Sequence, residues 1–240
     1  KLTSPSNLKT TIKNYHTSAF PMLANDSLPN PYVDLKFSIS GNIIPFNHGY
    51  PLYAAICHQF PIIHDLDTLN IHPITGKPEF PHLLHLTEDS HLCLRLPINQ
   101  VPLIYRLAGK TLILNEHKIR LGLPESQFIT PHPHLYSRLV VIKGFDDPQT
   151  FFEAAQRQLN QRNVTATLTL TTRPEGEPIR RIIKIKGKTL VGYGVKISDL
   201  NEQDAISLQE KGIGGKHKMG CGVFVPMKKN VQTSSESQRI

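Results

Sequence analysis

One order of apolar patterns occurs twice along this chain, and that duplication restricts the possible folds more than any other feature. Val33, Leu35, Phe37 and Ile39 alternate with Asp34, Lys36, Ser38 and Ser40, the period of a half-buried strand. Residues 49–60 then predict a helix: Pro51 suits its first turn, Leu52, Ala55, Ile56 and Phe60 share one face, and Pro61 stops it. Residues 82–86 and 92–96 predict a hairpin, 101–108 a short helix and 112–121 a returning strand. A second copy begins near Leu135. The continuous apolar run at 139–142 fits a central strand, and Asp147-Pro148 is a cap and first-turn signal for a helix through Gln161. Residues 165–170, 179–186 and 189–197 supply strands. Residues 201–211 supply a helix that is acidic at its start, ends in Lys211 and is closed by Gly212. The predicted fold is therefore α+β, with two tandem ferredoxin-like (RRM-like, βαββαβ) units at residues 31–130 and 131–227. Residues 1–30, rich in Ser, Thr, Asn and Pro, and residues 228–240 are expected to be loosely held ends.

Composition narrows the partners. The chain is formally +8, but the excess is lopsided: residues 1–129 hold 10 Lys/Arg against 9 Asp/Glu, and residues 130–229 hold 16 against 9. A densely anionic partner is implied, and nucleic acid fits because each neutralised phosphate releases counterions. A membrane surface fits less well, since the basic residues do not share one amphipathic helix. No apolar run approaches the roughly 20 residues of a membrane span, and no apolar signal core opens the chain, so a soluble cytoplasmic protein is expected. Cys57, Cys93 and Cys221 are odd in number and far apart, which argues against a disulfide framework or structural zinc.

Residues 212–222 pack five glycines and two lysines between a helix signal and a strand signal. Such a loop lets backbone approach a polyanion, marking Gly214, Gly215, Lys216, His217 and Lys218 as candidate RNA-binding residues. It is no P-loop, since it leads into a strand and lacks the Gly-Lys-Ser/Thr ending, and His217 breaks G-x-G-x-x-G. Alternatively its glycines merely turn the chain. In the same unit Arg180, Ile182, Lys184, Lys186 and Lys188 share one face of an extended segment, opposite Arg181, Ile183, Ile185 and Gly187. Arg180, Arg181, Lys184, Lys186 and Lys188 are therefore further RNA candidates, although lysines also guard strand edges. Lys143-Gly144-Phe145 starts like an RNA-recognition signature but breaks into Asp146-Asp147-Pro148, so RNA is expected to be held by backbone and shape, as suits a hairpin.

His48 stands out among twelve histidines because it immediately precedes the first helix. Unpaired amides and the positive dipole end there attract phosphate and lower the imidazole pKa. A neutral imidazole can exchange protons with a ribose 2′-hydroxyl or a departing 5′-oxygen, with no metal or cofactor. A capping or packing role is the alternative. His82, His85 and His91 have metal-like spacing, but the first two would point to opposite strand faces. His64 and His72 could line the same cleft, and His132 and His134 sit in a Pro-rich joint.

The segments Ile44 through Tyr53, Leu94-Arg95-Leu96-Pro97, Ser137 through Phe145 and Gly212 through Pro226 resemble the CRISPR-associated endoribonucleases that process precursor guide RNA. Within the RAMP superfamily the match is to the MYXAN-type branch and spans residues 33–226. The resemblance implies metal-independent cleavage within each CRISPR repeat, leaving a 5′-hydroxyl and a cyclic phosphate, with His48 at the position of the general acid or base. Tyr50 is the matching candidate partner. Residues 51–60 contain no lysine, so the family's cation must come from Lys216, Lys218 or the basic stripe. The implied partners are CRISPR repeat RNA and other subunits of an effector complex. A non-catalytic RNA-binding subunit of such a complex is the alternative. A two-histidine phosphodiesterase using His16-Thr17-Ser18 and His85-Leu86-Thr87 is a third reading.

Overall fold

The computed structural model describes residues 30–79 and 81–227. Both expected loose ends, and with them His16, lie outside the described residues. The first unit runs β1 (Tyr32–Ser40), β2 (Ile43–Pro45), α1 (Gly49–Gln59), β3 (Asn70–Ile71), β4 (Lys77–Glu79), β5 (Leu83–His85), β6 (His91–Pro97), α2 (Val101–Tyr105), β7 (Thr111–Leu114) and β8 (His117–Phe128). The second runs β9 (Leu135–Val140), α3 (Pro148–Asn160), β10 (Thr167–Leu170), β11 (Arg180–Ile185), β12 (Lys188–Ser198), α4 (Glu202–Lys211) and β13 (Val225–Pro226).

The first sheet has the order β3-β6-β1-β8-β7 and the second the order β10-β12-β9-β13, with β11 also on β12. Each contains the 4-1-3-2 arrangement of a ferredoxin-like unit, so the α+β tandem reading holds. Each sheet packs its own core. In the first, Leu35 and Phe37 of β1 meet Leu52 and Ile56 of α1 and Ile104 of α2. In the second, Val140, Val195 and Ile197 meet Phe151 and Leu159 of α3 and Leu208 of α4. The apolar run at 139–142 is needed because β9 is covered twice: Val140 and Ile142 enter that core, while Leu139 and Val141 pack with Ile183 and Cys221 on the other side. Asp147 caps α3 by accepting from Gln149 and Thr150 amides, and Asn201 caps α4 by accepting from the Asp204 amide.

Three expectations are corrected. Residues 82–86 and 92–96 do not pair. β5 lies between β2 and β4 in a separate three-stranded sheet, while β6 pairs with β1 and β3. The Thr87 amide bonds Ser90 Oγ, which in turn donates to the Thr75 carbonyl, anchoring the intervening turn to another segment. The single strand at 112–121 is two strands, folded at Asn115 in the left-handed region, which asparagine tolerates. The basic stripe also ends early: Lys186 and Gly187 both have positive φ and form the turn of the β11–β12 hairpin. Lys186 and Lys188 are thus not on the strand face that carries Arg180 and Lys184.

The two units are joined by a buried arginine. Arg95 of β6 is 1% exposed; its Nε and Nη2 donate to the Asp34 carboxylate at 2.7 and 2.9 Å. Its Nη1 crosses to the second unit and donates to the carbonyls of Gln209 and Phe224 at 3.0 and 2.8 Å. No helix among the described residues is long and apolar enough to cross a membrane.

Candidate active site

His48 occupies the N-cap position of α1 but does not cap it. The ring turns into the protein and is 3% exposed. Nδ1 lies 3.0 Å from the Pro45 carbonyl, and Nε2 accepts the Ile74 amide at 3.0 Å. A carbonyl only accepts, so Nδ1 carries the proton and Nε2 holds the free pair. Burial pulls the imidazole pKa down to about 4, against the Pro45 hydrogen bond and with help from the Arg138 charge. The ring is therefore neutral near pH 7, through burial first and a neighbouring guanidinium second, where the sequence suggested the helix dipole.

His48 lines a pocket of about 330 Å³ at the seam between the units. Arg138 from β9, Arg180 and Arg181 from β11, His82 from the turn before β5, and Met219-Gly220 from the glycine loop complete it. Arg138 stacks on Phe46 at 5.0 Å. Its pKa is lowered, first by burial and then by the charge of Arg181. Arg181 in turn has a buried Nε with no hydrogen-bond partner. Neither guanidinium has an acidic partner within salt-bridge range among the described residues. Two partly desolvated cations side by side without a counter-ion are costly, and an incoming anion relieves both penalties.

The candidate RNA-binding residues divide into three groups. Arg180 and Arg181 reach the His48 pocket, and Lys184 is exposed on the same strand. Lys188, Gly214, Gly215 and Lys216 line a second groove with Lys143, while Lys186 is exposed at the hairpin turn. His217 and Lys218 face inward. Burial lowers the His217 pKa, and Lys218 Nζ is tied to the His64 carbonyl at 2.6 Å with Asp67 at 3.5 Å. Tyr50 does not join His48: it lines another groove, with His58 and Asn115. His72 lines the inter-unit cleft behind the pocket, not the pocket itself.

The glycine loop owes most of its composition to packing. Gly214 has φ 76°, and a Cβ there would sit 2.5 Å from the Val141 carbonyl oxygen. Its amide is consumed by Gln158 at 2.7 Å and that of Gly215 by Val141 at 2.9 Å. Close backbone approach by a polyanion is therefore restricted to Gly215, above which nothing lies within 4 Å, and to its exposed neighbour Lys216.

His82, His85 and His91 do not converge. Among the described residues the metal-ligating types that do are Asp34, His72 and Cys93, whose donor atoms lie within 4.8 Å of one another. Arg95 already occupies both oxygens of Asp34. A dication bound there would share Asp34 with the Arg95 guanidinium, so two cations would repel one another across one carboxylate. Burial also pushes the Cys93 thiol pKa up, away from the thiolate a metal requires. The set does not suit a metal ion.

Sequence reasoning passed over Arg138 and Arg95 as functional residues and weighed His82 only as a metal ligand. Arg138 had a readable signal, a lone cation on a strand, immediately before the apolar run at 139–142. Arg95 likewise interrupts the apolar β6, whose residues from Leu92 to Pro97 are all buried.

Comparison with known proteins agrees with this architecture. The Cas6 family model, described as Cas6 Crispr, matches residues 33–229. The chain is 32% identical over 195 residues to the CRISPR-associated endonuclease Cas6 of Myxococcus xanthus, covering 81% of each protein. Among solved structures, a RAMP protein described as binding different RNA substrates superposes with a TM-score of 0.61 at 14% identity, covering 82% of this chain and all of that one. A Cas6-related protein from Pyrococcus furiosus superposes at 0.56 and 13% identity, covering 84% of this chain and all of that one. The pairing of two ferredoxin-like sheets, the glycine loop against α1 and the family match over nearly all the described residues make this chain a member of the Cas6 family.

Proposed function

We propose that this protein is an endoribonuclease that cuts CRISPR precursor RNA within its repeat, by attack of a ribose 2′-hydroxyl on the adjacent phosphate and without a metal ion. The observation that carries the reading is the Arg138–Arg181 pair, two guanidiniums without a carboxylate in salt-bridge range among the described residues, opening onto a pocket that holds a neutral histidine. The pair would bind the scissile phosphate and stabilise the dianionic phosphorane as charge develops. Nε2 of His48 is the basic atom. It takes the 2′-hydroxyl proton once RNA displaces the Ile74 amide that occupies it in the resting state. Tyr50, facing another groove, has no part in the reacting set. Arg180, Lys184, Lys186, Lys188 and Lys216 form the cationic track for the flanking repeat hairpin. The enzyme would work in the cytoplasm, alone or with other subunits of an effector complex.

One observation favours a second reading. Both ring nitrogens of His48 are already bonded to backbone groups, as expected of a non-catalytic RNA-binding subunit. Incubation with repeat RNA from the same locus in EDTA, with product ends mapped, decides between them. Cleavage leaving a 2′,3′-cyclic phosphate, lost in His48→Ala with RNA binding retained, supports the proposal. Binding without any cleavage by the parent protein leaves the subunit reading, and loss of cleavage in EDTA that Mg²⁺ restores overturns the metal-free mechanism.

A further inference from the structure

Transesterification of RNA moves two protons. One leaves the 2′-hydroxyl as its oxygen bonds to phosphorus; another must reach the 5′-oxygen as the phosphorus–oxygen bond to it breaks. His48 can accept the first, but its only proton sits on Nδ1 and is held by the Pro45 carbonyl. The pocket offers few other sources. Arginines do not give up protons in proteins, so Arg138, Arg180 and Arg181 can only bind charge. Tyr50 opens onto a different groove, and Lys218 is tied to the His64 carbonyl and Asp67. Among the side chains that line the pocket, the one remaining group able to transfer a proton is His82.

Its setting differs from that of His48 in the way the second role needs. The side chain is exposed, with no hydrogen-bond or ion-pair partner among the described contacts. Its backbone is fixed: the His82 carbonyl accepts the Phe46 amide at 2.8 Å, and φ is +62°. A non-glycine residue held in the left-handed region costs of order 1 kcal/mol or more, and such positions concentrate at functional sites. The hydrogen bond to Phe46 ties the turn to the segment that carries His48 two residues later, and both histidines line the pocket onto which Arg138 and Arg181 open.

We propose that His82 is a second catalytic residue, the general acid that protonates the departing 5′-oxygen while His48 accepts the 2′-hydroxyl proton. The bond from the 2′-oxygen to phosphorus forms and that to the 5′-oxygen breaks. One proton arrives at His48 Nε2, one departs from the His82 ring, and exchange with water restores both. This rests on the endoribonuclease reading above.

The test uses the full chain and repeat RNA whose scissile 5′-oxygen is replaced by sulfur, a leaving group that departs without protonation. His82→Asn keeps a residue that tolerates positive φ, and His82→Gly is a second variant without that strain. Both are expected to cut ordinary repeat RNA about 10²- to 10⁴-fold more slowly than the parent, and the 5′-thio RNA within a few-fold of the parent rate. His48→Ala should remain slow on both. Variants that cut ordinary RNA at the parent rate, or that stay slow on the 5′-thio RNA, overturn the assignment to His82. Failure of the parent to cut either RNA instead overturns the endoribonuclease reading.

Discussion

Replacing Arg95 by Ala should destabilise the protein by about 3–5 kcal/mol, the range for leaving one partner of a buried ion pair uncompensated. The structure shows where the loss arises. Two charge-assisted bonds to Asp34 vanish, and the carbonyls of Gln209 and Phe224 lose the donor they share at 3.0 and 2.8 Å. Unpaired buried acceptors cost about 1–3 kcal/mol apiece, but relaxation of two units no longer pinned together recovers part of that. Arg95→Lys keeps the charge but cannot supply four donors in a planar fork, so roughly half the loss should persist. Asp34 provides an internal control. Burial raises its pKa, and the Arg95 hydrogen bonds and charge more than reverse this, so the net shift is downward. A depressed carboxylate contributes stability above its unfolded pKa that is lost as pH falls through the folded value. In Arg95→Ala that acid-limb contribution should disappear. Urea unfolding at pH 7 and at pH 3–4 measures both quantities. An Arg95→Ala protein within about 1 kcal/mol of the parent, with its acid limb unchanged, would refute the idea that this residue holds the units together.

Three other outcomes follow from the geometry. Arg181→Met should leave stability unchanged or raise it slightly, because it removes a cation adjacent to Arg138, while lowering single-turnover cleavage about 10²- to 10³-fold; a fall in melting temperature counts against an uncompensated pair. His48, with its pKa lowered to about 4, binds its proton more weakly folded than unfolded, so stability is full above about pH 6.5 and declines towards pH 4. Between pH 7 and 4.5 the His48 share amounts to about 2–3 kcal/mol, readable as the part of the shift in urea midpoint that His48→Asn removes, while buried His72, whose pKa is likewise pulled down to about 3, keeps its own share. Gly214→Ala, at positive φ and against the Val141 carbonyl, should destabilise by more than 1 kcal/mol, whereas Gly215→Ala should not change the melting temperature; equal effects would show that packing does not set the loop's composition.

The elements legible in the sequence are those whose burial is one-sided or whose ends carry their own chemistry. The alternation at residues 33–39 survives because β1 has one face in the core, and α3 and α4 are bounded by Asp147, Asn201 and Gly212, each doing what its residue type does at a helix end. The three-stranded sheet was missed because β2 and β4, three residues each, are too short to show a period, so β5, legible as a strand, had no visible partner but β6. The turns at Asn115 and at Lys186-Gly187 depended on left-handed conformations that Asn and Gly permit but do not compel. At the site, the position of His48 was readable, but its environment was not. The groups that fix its ring are the Pro45 carbonyl and the Ile74 amide, and every residue type supplies a carbonyl.

The same distinction applies to the basic residues expected to bind RNA. A lysine in a sequence registers as charge whether it faces solvent or a carbonyl, and Lys218 spends its charge on the His64 carbonyl and Asp67 at the junction with the first unit. What separates a binding cation from a structural one is whether its desolvation has been compensated within the chain. Arg95 is the most buried arginine among the described residues and is fully compensated by a carboxylate and two carbonyls. Arg138 and Arg181 are buried in part, repel one another and form no ion pair with an acid among the described residues. The first arrangement lowers the energy of the folded chain alone. The second lowers it only when an anion is present, so the protein holds this guanidinium pair at a standing cost to its own stability. That cost lies between two units which Arg95 keeps in place, making the inter-unit pin a requirement for the pocket's geometry as well as for the fold.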